Sequence, residues 1–261
     1  LLSHGLRDPV EERAKLAAFL ADAFDADVQR FARDLQTSGF SAWARARREA
    51  LANFPGPYRF GSTRERDCEY LYFLVRALRP RIVVETGVCY GASTSYILEA
   101  LARNGGGKLY SIDLGNSPDE PPSDFFVHPA HKANWHLVIG DARVELPRLL
   151  ERLGGIDLFH HDSLHTYEHM SWEYETALRY LDPTGAISSD DVDVILKLAK
   201  PFQRNPFVDF CERHLLAWQT VGNFGITVDG SAAVARLRRE RIHGSWVASR
   251  LIMPRRLARL R

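Results

Sequence analysis

The chain has 261 residues, 45% of them hydrophobic and 26% charged, with a formal net charge of +1. Those values fit an ordinary globular protein with one main core and exclude the disordered classes. A near-neutral total provides no field to gather a polyanion, so nucleic acid is not an expected partner.

No apolar run reaches the roughly 18 residues of a spanning helix, and the opening LLSHGLRDPVEER lacks the basic-then-apolar order of a signal peptide. The three cysteines, Cys68, Cys89 and Cys211, are widely separated and odd in number, which suits neither a disulfide framework nor a zinc site. A cytoplasmic protein without a transmembrane segment is expected.

In chain order, Glu11 to Phe24 and Val28 to Leu35 carry apolar residues at three- and four-residue intervals and read as short amphipathic helices. Pro55, Gly56, Pro57 and Gly61 break the pattern, which places a soft boundary near Gly61. A helix is expected from Glu65 to Leu78, ending at Pro80. Strands at Ile82 to Glu85, Leu109 to Asp113, His136 to Ile139, Ile156 to His161 and Ala186 to Ser189 then alternate with helices at Ser93 to Arg103, Arg143 to Leu153 and Tyr167 to Leu181. This βαβ rhythm implies a mostly parallel, doubly wound sheet with ligands at the carboxyl ends of its strands. After a helix over Pro206 to His214, the segments Ala217 to Val221 and Phe224 to Val228 flank only Gly222 and Asn223, a spacing that predicts an antiparallel hairpin closing the sheet.

The stretch VVETGVCYGASTSYILEAL sets an acid, Glu85, at a strand end, then Gly87 and Gly91 in a turn, then a helix. Such a turn offers free backbone N–H groups and a positive helix end to a ligand. The spacing Gly-x-x-x-Gly, with an acid two residues before it, disfavours a nicotinamide cofactor. Asp113 and Asp141 close two further strands; either alone reads as a loop acid or a helix cap, but the ordered recurrence favours a nucleotide-like ligand.

On these residues the chain resembles the class I S-adenosylmethionine-dependent methyltransferases, over roughly Arg81 to Val228. The resemblance implies a Rossmann-like domain that binds the cofactor through Glu85, Gly87 and Gly91, with Asp113 on the ribose hydroxyls, Asp141 on the adenine amino group and Ala142 supplying a backbone contact.

The stretch IDLFHHDSLHTYEHMSWEY runs a strand straight into a polar cluster. Asp162 ends that strand, and Asp190 and Asp191 end the next. Adjacent parallel strands would therefore bring three mutually repelling carboxylates together, which a hard divalent cation such as magnesium would offset. Alternatively, Asp190 and Asp191 simply begin a helix. His160 and His161 are candidate ligands of a softer metal such as zinc, but strand alternation points them to opposite faces of the sheet, which disfavours a shared site. The arrangement resembles the metal-dependent O-methyltransferases of the catechol and macrolide-sugar types. That resemblance implies a metal on Asp162, Asp190 and Asp191 and a general base at His165, where the catechol type has lysine; Asp190 stands where the sugar enzymes have glutamate.

The expected protein is thus an S-adenosylmethionine- and magnesium-dependent O-methyltransferase acting on a small hydroxylated acceptor such as a sugar or glycosylated natural product. A hydroxylase on the same scaffold and a non-catalytic cofactor-binding protein remain as alternatives. Three parts are expected: a helical segment over 1–60 that covers the acceptor pocket or makes a homo-oligomer contact, the cofactor domain over 61–230, and an arginine-rich tail over 231–261. Between Arg236 and Arg261 that tail has Glu240 as its single acid. Its apolar residues, among them Leu237, Ile242, Trp246, Leu251 and Ile252, read as a packed or frayed helix ahead of a peripheral membrane contact.

Overall fold

The computed structural model describes residues 8–56, 63–192 and 205–228. Within them the order is α1 (Pro9–Phe24), α2 (Val28–Gln36), α3 (Gly39–Ala52), α4 (Glu65–Leu78), β1 (Ile82–Thr86), α5 (Ala92–Arg103), β2 (Lys108–Asp113), β3 (Trp135–Ile139), α6 (Ala142–Leu153), β4 (Ile156–His161), α7 (Tyr167–Leu178), β5 (Leu181–Ser189), α8 (Pro206–Arg213), β6 (Ala217–Val221) and β7 (Phe224–Val228). A seven-stranded sheet runs β3-β2-β1-β4-β5-β7-β6. The first five strands pair in parallel, and β7 pairs antiparallel to both β5 and β6. This is the doubly wound sheet with an antiparallel hairpin that the alternation predicts.

Strand alternation divides the core between the two faces. Val83, Leu109, Leu158 and Ala186 pack with α4 and α5 on one side, while their neighbours Val84, Phe159 and Ile187 pack with α6, α7 and α8 on the other. Both faces are covered, so these strands are apolar in runs rather than in alternation.

The N-terminal helices belong to the first of these layers. Asp8 caps α1 by accepting from the Val10 amide at 2.9 Å, and Pro9 occupies the first turn, where no amide partner is needed. Leu16 and Leu20, one turn apart and fully buried, join the same core as Phe73 and Ile97. Burial of each contributes roughly 1.5–3 kcal/mol. The apolar face of α1 is therefore met by this chain's own α4 and β6.

Two differences from the periodicity reading stand out. Helix α3 has no counterpart in it, and α7 stops at Leu178 because Leu181 already begins β5, opposite Ile156. Between Leu181 and Ala186 the register slips, and Asp182 turns the chain by accepting from the Thr184 amide at 2.9 Å. Apolar spacing alone assigns Leu181 to either element. The expected boundary near Gly61 and the arginine-rich tail lie outside the described residues, among which no helix is long and apolar enough to cross a membrane.

Candidate active site

The ladder continues one residue beyond each strand and lines the acids along one edge. The Gly87 amide donates to the Ile112 carbonyl, Asp162 to that of Thr86, Asp190 to that of His161, and Gly140 to that of Asp113. Read across the sheet, the carboxyl edge carries Asp141, Asp113, Gly87, Asp162 and Asp190 in the order β3, β2, β1, β4, β5. The chain reverses its winding between β1 and β4, which is where a crevice opens in such sheets.

Glu85 lies beneath this edge. Its carboxylate is fully buried and accepts from Ser93 Oγ at 2.6 Å, Thr94 Oγ1 at 2.7 Å and Ser111 Oγ at 2.7 Å. Burial pushes its pKa up to about 7 against the lowering by these hydroxyls. In this arrangement Glu85 anchors the glycine turn from behind, tying β1 to α5 and β2.

The glycines serve close approach of backbone to backbone. Gly87 has φ +82°, and a Cβ there would stand 2.0 Å from the Asp162 carbonyl oxygen; Gly91, at φ +83°, would meet the Ser123 carbonyl at 2.6 Å. Gly87 thus packs the glycine turn directly onto the residue expected to hold a metal.

Asp113 is half-buried and faces that turn: Oδ2 accepts from the amides of Val88 at 2.7 Å and Cys89 at 3.1 Å, and Oδ1 from that of Gly115 at 2.6 Å. Beside it a cleft of about 520 Å³ is lined by Leu114, Gly115, Asn116, Ser123 and Ile139. Leu114 and Ile139 are 75% and 59% exposed, apolar walls without a covering. Asp141 caps α6 through the Arg143 amide at 2.8 Å, and half-buried Ala142 opens that helix.

At the other half of the edge the structure brings Asp162, Asp190, Asp191 and His165 together. His165 Nε2 stands 3.7 Å from Asp162 Oδ1 and 3.7 Å from Asp191 Oδ2. Asp162 Oδ2 accepts from Thr63 Oγ1 at 2.7 Å, and Asp191 Oδ1 from Asn223 Nδ2 at 3.0 Å. Asp190 is 5% exposed, and its Oδ1 has no hydrogen-bond partner among the described residues. Burial, then Asp190, pushes the Asp162 carboxyl well above the carboxylate range; burial, then Asp191 and Asp67, does the same to Asp190. Burial, then the neighbouring His161, holds His165 down to about 4, so the imidazole is neutral.

An all-oxygen set with an orphaned buried oxygen and mutually raised acids suits the chemistry of a hard cation. In the arrangement seen, no group of three or more His, Cys, Asp or Glu among the described residues stands at metal-holding spacing. A helix started by Asp190 and Asp191 would fall on residues 193–204, which lie outside the described residues.

His160 and His161 do face opposite sides. His160 Nδ1 meets Ser188 Oγ at 3.0 Å, whereas His161 Nδ1 meets Glu173 Oε2 at 2.5 Å. Tyr167 turns away and donates to Asp209 on α8 at 2.5 Å.

Four residues of the site have no site role in the sequence reading: Thr63, Asp67, Glu173 and Asn223. Asp67, on α4, is 2% exposed and is pushed up to about 6, mainly by burial, within the field of Asp191. Asn223 reads as a turn residue, and that reading hides its reach to Asp191. Glu173 stands one turn beyond His169 on α7, a helical spacing visible in the sequence.

The family model described as a methyltransferase domain matches residues 84–192. No curated protein matches the chain. Among solved structures, the O-methyltransferase from Bacillus cereus in complex with S-adenosylhomocysteine aligns with a TM-score of 0.53 at 16% identity, covering 85% of this chain and 100% of that one. The O-methyltransferase TomG from Streptomyces achromogenes, in complex with S-adenosylmethionine, aligns at 0.51 and 18%, over 73% of this chain and 88% of its own. CalS11, a TDP-rhamnose 3'-O-methyltransferase of calicheamicin biosynthesis, gives 0.50 and 16%, over 73% and 94%. At these identities the likeness is one of fold.

Proposed function

We propose that the chain, whose residues 84–192 match a methyltransferase domain, is a class I S-adenosylmethionine-dependent methyltransferase that transfers a methyl group to a hydroxyl of a small molecule with the help of a divalent cation. When bound, S-adenosylmethionine supplies a methyl group on a sulfonium sulfur, and a cation such as magnesium supplies charge that makes a nearby hydroxyl more acidic. Asp113, at the mouth of the cleft, would accept from the ribose hydroxyls, since a carboxylate takes two such bonds well. Asp141 and the Ala142 backbone would meet the adenine edge, and the exposed Leu114 and Ile139 would cover its faces. Glu85 acts through the turn that it anchors, and Gly87 and Gly91 set the path of that turn.

Asp162, Asp190 and Asp191 would hold the cation. His165 would take the proton of the acceptor hydroxyl as the oxygen–carbon bond forms, because a neutral imidazole is the base nearest these acids. The acceptor would be a hydroxylated small molecule such as a sugar or glycosylated natural product. The activity of CalS11 on a sugar nucleotide, within the same fold, supports that choice. A cytoplasmic setting fits three sparse, widely separated cysteines.

The observation that carries this reading is the contact of Gly87 with the Asp162 backbone, which sets the cofactor turn against the acidic cluster. The test is methyl transfer from labelled S-adenosylmethionine to a panel of diols and sugar nucleotides, with and without chelator. Release of S-adenosylhomocysteine that stops in chelator and returns with magnesium is expected. Turnover unaffected by chelator rejects the cation, and absence of cofactor binding rejects the whole reading.

A further inference from the structure

Glu173 is fully buried on α7, and its two oxygens are surrounded by donors from three elements and a loop. Oε2 accepts from Thr86 Oγ1 at 2.6 Å and His161 Nδ1 at 2.5 Å; Oε1 accepts from Ser163 Oγ at 2.9 Å and His169 Nε2 at 2.9 Å. Thr86 directly precedes Gly87 of the cofactor turn. His161 and Ser163 flank Asp162. The ring of His161 stands edge-on to that of His165, with centroids 5.2 Å apart and planes at 89°.

A carboxylate has about four lone-pair positions, and here all four are used. Burial alone would keep this carboxyl protonated, but His161 beside it and the hydrogen bonds from His161, His169 and Thr86 outweigh burial and hold the group well below the usual range. An ionised carboxylate only accepts, so the proton of His161 on this side is fixed to Nδ1. His161 Nε2 and His165 Nδ1 have no hydrogen-bond partner among the described residues. The ring of His165 thus packs against His161 on one side while its Nε2 faces Asp162 and Asp191 at 3.7 Å. A buried carboxylate is a costly way to fill a core; what it contributes is orientation.

We infer that Glu173 is a positioning residue: it fixes the His161 ring against which His165 stands, and it clamps the cofactor turn to the Asp162 loop. The second half of each clause rests on the proposed roles of His165 and Asp162, whereas the fixed ring does not. Glutamine at this position would offer one carbonyl and bring two N–H groups among four donors, so the clamp would open although the volume is kept.

The test is two-bond ¹H–¹⁵N spectroscopy of the imidazoles in the full chain labelled at histidine, assigned through single substitutions. The wild-type protein is expected to show His161 as a single form protonated at Nδ1. Glu173→Gln is expected to abolish that form and shift the ring resonances of His165, and Glu173→Asp to restore both. Should Glu173→Gln fail to fold, His161→Phe keeps the ring contact with Tyr174 and removes Nδ1, and the same His165 shift is expected. A wild-type His161 protonated at Nε2 alone overturns the inference, as do His165 resonances unmoved in the folded variant. These spectra require no turnover, so failure of the methyl-transfer reading, seen as absent cofactor binding, is separately visible.

Discussion

Gly87→Ala tests the link between the two halves of the site. The new Cβ would lie 2.0 Å from the Asp162 carbonyl oxygen and 2.4 Å from its carbon, where real Cβ atoms keep at least 3.0 Å. The Asp162 backbone or the turn must therefore give way by about 1 Å. Holding alanine at φ +82° costs roughly 1–2 kcal/mol, and overpacking adds roughly 1–3 kcal/mol. The sum of about 2–5 kcal/mol should lower Tm by roughly 4–20 °C at ~2–4 °C per kcal/mol. Displacement by ~1 Å in a reacting site costs about 10²-fold in rate. Gly154→Ala is the control, because Gly154 has φ +71° with no atom within 4 Å of a built Cβ, and so carries the backbone cost alone. Thermal unfolding of both variants and calorimetry with S-adenosylhomocysteine read the result. If Gly87→Ala is no less stable than Gly154→Ala and binds the cofactor product as the wild type does, the proposed contact between turn and acid loop is refuted.

His165→Ala should lower methyl transfer by roughly 10²–10⁴-fold, the span of a lost acid–base group, with cofactor affinity nearly unchanged; near-normal turnover would assign the proton to another group. Asp113→Ala should weaken S-adenosylhomocysteine binding by roughly 10-fold or more, the worth of a charge-assisted pair at about 1.5–3 kcal/mol, and calorimetry showing unaltered affinity would remove Asp113 from the ribose. Burial raises the Glu85 pKa from its ordinary 4.5 to about 7, so its favourable contribution is complete below pH ~4.5 and is lost as pH rises through ~7, by about 3 kcal/mol in all. Denaturant titrations from pH 5 to 8 should show that decline, and Glu85→Gln should flatten it; an unchanged slope in the variant places the titration elsewhere. Asp190→Asn should relieve repulsion within the acid cluster and raise Tm in metal-free buffer while abolishing any magnesium-dependent gain, and a variant still stabilised by magnesium would exclude Asp190 as a ligand.

The βαβ order, the parallel sheet and the closing hairpin were legible because each rests on local periodicity and on turn residues. Glu85, Asp113, Asp162 and the Asp190–Asp191 pair could be picked out because strand ends on one side of a parallel sheet share one edge, whatever the details of packing. That Glu85 turns inward to Ser93, Thr94 and Ser111 was not legible, since a strand end has two faces and only the helix packed behind it decides between them. Nor could the chain order reveal that Thr63, Asp67 and Asn223 approach the acids, as they come from α4's approach and a distant hairpin. Glu173 shows the same limit most clearly: its spacing from His169 is a local fact, but its bonds to Thr86 and His161 exist only once α7 packs on β1 and β4. Periodicity specifies which residues share an element and an edge; which side chains meet across elements is set by the crossings of helices over the sheet, and that information is tertiary.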